Sequence, residues 1–378
     1  MNTVFKVVFS RARGALMVVN EVTSSVQGKG TKTVIATAVA AALTCGTAMA
    51  VEHNYDQAKD GFSATTTENP VMELAKGDVL TMNVTTDKRA YGLLATGKDH
   101  KYTNLGAINV TTTTPAKGYK VKAMMADMGG TAINDGAISV KNAYGMTVGS
   151  SKGEGTANTI INNNTITVNG GVGMEMAPTG VSGTSGTATA VGTNNGTIDV
   201  KSGIGMLVSG DNNQVTNNGT INALGEGNSA VYVHCENGHT AKGNTIIFGA
   251  KSVTNGKVWV GNNTIENTTL RFEEGAVLNG AIEVASSKVT GTKLLGTVNI
   301  SQQQAEAGGA IFFGDAKGSI ELTNSSFTDN RAYSSSSKSG ASAAVLYNYG
   351  SLKLVGGVVT GNQTLSEDMD FVQGQDYV

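Results

Sequence analysis

Proline occurs three times in 378 residues, tryptophan once and cysteine twice, and aromatic residues make up 5% of the chain. So little proline excludes a collagen-like rod or a Pro-rich linker. Charged residues reach only 15%, too few for a coiled coil or a charged disordered tail. Glycine fills the space instead, with 50 residues, together with Thr, Ser and Asn. Such a composition fits many short strands joined by tight turns, an all-β fold.

The first fifty residues differ from the rest. Lys6, Arg11, Arg13, Lys29 and Lys32 stand against one acid, Glu21, and lead into the uncharged run from Thr33 to Leu43. That run is too short to span a bilayer comfortably and ends in Ala48-Met49-Ala50, the small-x-small pattern of a cleaved signal. Cleavage is expected between Ala50 and Val51, because Ala42-Leu43-Thr44 makes a poor lipobox ahead of Cys45. Ahead of this signal, a Met1-Asn2 start, the Phe5-Lys6-Val7-Val8-Phe9 alternation and a Met17-Val18-Val19-Asn20-Glu21 end resemble the extended signal peptide region of type V secreted proteins of Gram-negative bacteria. Residues 1–24 are assigned to that region and 25–50 to the signal peptide proper, together a helical N-terminal segment.

Removing those residues takes five of the 27 basic residues and one of the 29 acidic ones, leaving a net charge of −6. No basic surface is offered to nucleic acid. One cysteine remains, Cys235, so no intramolecular disulfide can form.

The rest of the chain repeats itself. Asn134 to Val140 leads to Gly145-Met146, Asn163 to Val168 to Gly173-Met174, and Asn195 to Val200 to Gly205-Met206, with the methionines 28 and then 32 residues apart. Weaker copies begin at Asn104, Asn218 and Asn262. In Ile-x-Val the two apolar residues share one face of a strand, and the Asn-Gly and Gly-x-Gly pairs between them let the chain turn. One such unit cannot bury its apolar face alone, so the copies stack, Ile over Ile and Met over Met. A second repeat aligns Gly318–Asn330 with Gly350–Asn362, offset by 32 residues. Together these segments resemble the pectin-lyase-like right-handed parallel β-helix of autotransporter passengers. About 30 residues per turn give on the order of eleven turns and a rod of about 50 Å. Residues 51–100 are expected to cap it, 101–364 to form the β-helix repeats and 365–378 to be a frayed tail.

Chemistry is sparse. Gly149-Ser150-Ser151-Lys152-Gly153 has the form of a nucleophile elbow without its strand-to-helix context. Gly314-Asp315-Ala316-Lys317-Gly318 has alanine where a serine nucleophile would stand. Gly225 to Ala230 approximates a dinucleotide fingerprint with no helix after it and is taken as a turn. His234, Cys235 and His239 gather metal-binding residue types, but their spacing matches no zinc site, and a solvated turn is preferred. The Met146, Met174 and Met206 series is expected as a core ladder, and Asn134, Asn163, Asn195 and Asn218 as stacked turn residues. No catalytic residue, cofactor or metal site is assigned.

The resemblance implies a passenger exported through the inner-membrane Sec machinery with periplasmic chaperones. Its destination would be the cell surface, outer membrane or medium, where it would serve adhesion or self-association through a ligand the residues do not name. The alternative is a β-helix polysaccharide lyase or glycosidase using acids such as Glu175, Asp199 and Glu226, or a truncated passenger. No array of alternating ten-residue strands follows the repeats, so a translocator barrel is expected to be absent from this chain, which would then remain in the periplasm or depend on a separate exporter.

Overall fold

The computed structural model describes residues 5–10, 15–20, 52–55, 71–85, 89–113, 120–149, 157–177, 189–235, 240–285, 288–305, 309–334, 345–366 and 369–372. The chain divides into two compact units, Met1–Ala48 and Met49–Val378. Where a helical segment is expected in the first, Phe5–Ser10 pairs antiparallel with Ala15–Asn20, Phe5 opposite Asn20 and Val8 opposite Met17. The valine-rich run suits extended backbone better than helix. Residues 21–51, with the apolar run and the Ala48, Ala50 and Val51 cleavage positions, lie outside the described residues.

The second unit is a parallel β-solenoid, built because each short amphipathic strand finds its apolar complement in its own copy one rung away. The first face is an eleven-stranded sheet running from Val71–Leu74 to Ser351–Val355. The second face carries Val79–Val84, Ala107–Thr112 and their successors, and the third carries Ala90–Thr96, Val121–Asp127 and theirs. Three twelve-residue strands, Ala137–Val148, Thr165–Met176 and Thr197–Val208, run from the second face around the corner into the third. The bend falls at Asn142, Gly170, Gly171 and Gly203, all with positive φ, a conformation open to Asn and Gly at low cost.

Inside, like lies over like. Ile108, Ile138, Ile166, Ile198 and Ile221 align on successive rungs, each essentially inaccessible to solvent. Met146, Met174 and Met206 form one interior column with Met124 at its foot and Val231 above. All four methionines are at most 1% exposed. Farther on, Phe248 and Phe272 stack in the core at 4.2 Å and 5°. The second repeat pairs as aligned, Ile320 with Leu352 and Phe327 with Val359.

Two expectations shift. Ile265 does not continue the isoleucine column. It pairs with Ala241 and Val289 in a narrow three-stranded ribbon, while Thr254 and Leu278 take the column positions. A shorter rung here moves the Asn-Asn-Thr-Ile segment to another corner. Parallel pairing also extends through residues 71–104, where Val71–Leu74 and Val79–Val84 join the sheets of the following rung, so part of the segment expected to cap consists of rungs. At the other end, Met369–Val372 turns back antiparallel on Gln363–Ser366.

Candidate functional site

Polar side chains are organised by the corners. Asn104, Asn134, Asn162, Asn194 and Asn217 are fully buried and form a continuous amide ladder with contacts of 2.7, 2.7, 2.7 and 2.8 Å. The Asn217 amide then reaches the Thr254 hydroxyl at 3.1 Å. One residue along and outside, Asp135, Asn163, Asn195 and Asn218 make a second ladder, exposed to solvent. The four asparagines that the sequence groups together are thus split: Asn134 is inside, and Asn163, Asn195 and Asn218 are outside. A third ladder, Asp199, Asn222, Asn255 and Asn279, runs up the outer side of the second face with contacts of 2.6, 2.6 and 2.7 Å.

The outward column of the second face, from Thr81 through Asn109, Ser139 and Thr167 to Asp199, is short and polar throughout. The third face is different. Its outward column passes from Met125 through Thr147, Glu175, Leu207, Tyr232, Trp259, Glu283 and Phe312 to Tyr347. Tyr232 stacks on Trp259 at 4.3 Å and 8°, and Phe312 on Tyr347 at 5.3 Å and 8°. Val172, Leu207 and Tyr232 form an apolar cluster separate from the interior, with Tyr144, Ile204 and Trp259 against it. Burial is the main force pushing the Tyr232 phenol above its usual range, and the hydrogen bond with Tyr349 does the same for Tyr347.

The sequence candidates occupy other roles. Alternation turns the Cys235 side chain inward, where it is 1% exposed and its thiol donates to the Thr264 carbonyl at 3.1 Å. Burial raises its pKa. The His234 ring stacks on Tyr232 at 5.1 Å, its Nδ1 3.5 Å from the phenol oxygen. The neighbours are not brought together, and His239 lies outside the described residues. Among the described residues no group of three His, Cys, Asp or Glu side chains is placed to hold a metal.

The acids are likewise dispersed. Glu175 pairs with Lys122 at 3.5 Å on the third face, Asp199 accepts from Asn222 on the second, and Glu226 sits in an exposed turn. Asp315 is fully buried, and its carboxylate accepts from the backbone amides of Thr292 and Lys317 at 2.6 and 2.9 Å, so it staples a corner. Ser150 and Lys152 fall outside the described residues. Gly225 and Gly227 have positive φ in a tight turn, as the sequence suggests. A shallow groove of about 340 Å³ on the first face is lined by Arg271, Leu295, Glu321, Lys353 and Val355. It mixes two cations with one acid and pairs no carboxylates. Local sequence pattern does not reveal Trp259 and its neighbours as one column, because their rungs lie 24 to 35 residues apart and only register brings them together.

Residues 1–50 match the family model described as the Extended Signal Peptide of Type V secretion system. No curated protein and no solved structure matches the chain. The first fifty residues therefore carry an export signal of the type V route, which passes through the Sec system of a Gram-negative cell, and a β-solenoid of passenger type follows them.

Proposed function

We propose that residues 51–378 act after export as a surface passenger that mediates adhesion or self-association through the third face of the solenoid. The observation that carries this reading is the contrast between faces. One outward column of the second face is built of Thr, Asn, Ser and Asp, with Val253 and Val277 in the column beside it, while the outward column of the third face carries Leu207 and Tyr232, each 8% exposed, and then the part-exposed Trp259, Phe312 and Tyr347, with Glu283 among them. Trp259, Phe312 and Tyr347 keep part of their surface open to solvent, and accessible aromatic side chains beside charged ones mark contact sites. Signal cleavage after Ala50 would deliver the passenger with Val51 at its N-terminus, which N-terminal sequencing of exported protein checks.

Cells displaying residues 51–378 from a heterologous translocator should aggregate or adhere to an epithelial monolayer. A Trp259→Ser and Tyr347→Ser double variant, displayed at equal level, should lose most of that gain. Equal adherence of displaying and non-displaying cells would sink the proposal.

A further inference from the structure

The two aromatic stacks of the third face are separated by one rung. Tyr232 covers one side of Trp259 and Tyr347 one side of Phe312, and Glu283 occupies the rung between Trp259 and Phe312. The other sides of these two rings lie two rung steps, about 9.6 Å, apart along the column, with the Glu283 side chain on the rung between them.

A cation already occupies the gap. Lys257 Nζ lies 4.6 Å from the centre of the Trp259 ring and 2.9 Å from Glu283 Oε2. Tyr232 blocks the other side of the indole, so this ammonium sits on the side that faces Phe312. Both partners remain accessible, Lys257 by 36% and Glu283 by 39% of their side-chain surface, so the lysine can swing out. Two aromatic faces and one carboxylate are the recognition set for a quaternary ammonium, held by cation–π attraction and countercharge. The net charge of the chain beyond the signal, −6, favours a cationic guest.

We propose that the Trp259–Glu283–Phe312 gap is a binding slot for a choline-type quaternary ammonium group, plugged in the free protein by Lys257. This deepens the reading of the third face as a contact surface and names what one part of it contacts. The plug lowers apparent affinity by the fraction of time the slot stands open.

Trp259 is the sole tryptophan of the chain, so its fluorescence reports on this slot directly. Purified residues 51–378 are titrated with tetramethylammonium chloride and with phosphocholine, against sodium chloride at equal ionic strength. A saturable change is expected, with binding about tenfold tighter in Lys257→Ala. Phe312→Ala and, in the Lys257→Ala background, Glu283→Gln should each weaken it severalfold, and 3,3-dimethylbutanol, the neutral isostere of choline, should not bind. Co-sedimentation with phosphatidylcholine but not phosphatidylglycerol vesicles would assign the group to lipid headgroups. Binding of phosphocholine without vesicle binding would assign it to soluble or glycan-borne phosphocholine. An unchanged Trp259 signal in folded Lys257→Ala, or equal binding of the neutral isostere, would overturn the slot. Cell adherence is measured separately, so a passenger that adheres without binding ammonium refutes this proposal and leaves the surface role standing.

Discussion

Asn162 shows what a single side chain does in this architecture. Its carbonyl accepts from Asn134 at 2.7 Å and its amide donates to Asn194 at 2.7 Å, both in the interior, and the amide also donates to the part-buried Asn164 backbone carbonyl at 3.0 Å. Truncation leaves a donor below and an acceptor above without partners and out of reach of water, each costing about 1–3 kcal/mol. Asn162→Ala should therefore lower unfolding free energy by about 3 kcal/mol, measured by urea titration. Asn195→Ala, in the exposed ladder where water replaces the lost bonds, should cost less than about 1 kcal/mol. Similar losses at the two sites would contradict the division into inner and outer columns. Cys235 gives a second residue-level prediction. Its thiol is raised from 9.0 by burial, so unfolding releases its proton more readily than the native state does. The stability tied to this group is complete below pH 9.0 and drains away as pH climbs through the higher native value. Between pH 8 and pH 10 the native chain should lose more unfolding free energy than Cys235→Ala, and parallel pH profiles would refute it.

At the scale of the strand, the inward pattern was readable in the sequence wherever a rung kept its long form. Ile138, Ile166 and Ile198, with Met146, Met174 and Met206, sit where their period-two spacing puts them, because an amphipathic strand leaves little choice of face. Reading faltered where the rung shortened. The ladder step falls from 32 residues between Asn162 and Asn194 to 23 between Asn194 and Asn217, and beyond it the Asn262 copy no longer shares a column. The asparagines were harder still, since side chains one residue apart face opposite ways and an Asn-Asn pair offers both. The third-face surface could not be read from local pattern at all, being assembled across rungs. Close stacking also makes particular glycines indispensable. A Cβ on Gly173 would lie 2.7 Å from both the Gly205 carbonyl and Ile198 Cγ2 on the next rung, whereas one on Gly227 meets nothing within 4 Å at a φ of +79°. Gly173→Ala should cost about 2–3 kcal/mol by overpacking and Gly227→Ala about 1 kcal/mol from its left-handed backbone. Thermal or urea unfolding that ranks them in reverse would show that the rungs can part to admit a methyl group.

The solenoid as a whole is held by neighbours only, so its stability is distributed along it and not uniform. One apolar interior runs from Leu74 to Phe327. Beyond it Leu352, Leu354 and Val359 occupy the core columns of Ile320, Leu322 and Phe327 yet are 47%, 48% and 41% exposed. Amide hydrogen exchange in Ser351–Val355 and Val358–Thr360 should therefore run at least tenfold faster than in Thr165–Met176, and uniform protection along the rod would disprove this gradient.

The amide columns also carry a direction. In the inner column every side chain donates toward the C-terminal end, Asn104 to Asn134 and onward to Thr254. In both outer columns every side chain donates the other way, down to Asp135 and Asp199. An aspartate has no amide proton to give, so the acid at the foot obliges each asparagine above it to point its amino group downward. The rows of side-chain dipoles thus lie antiparallel and offset one another across a corner wall. Two carboxylates set the polarity of whole columns, as a keystone fixes which way its voussoirs lean.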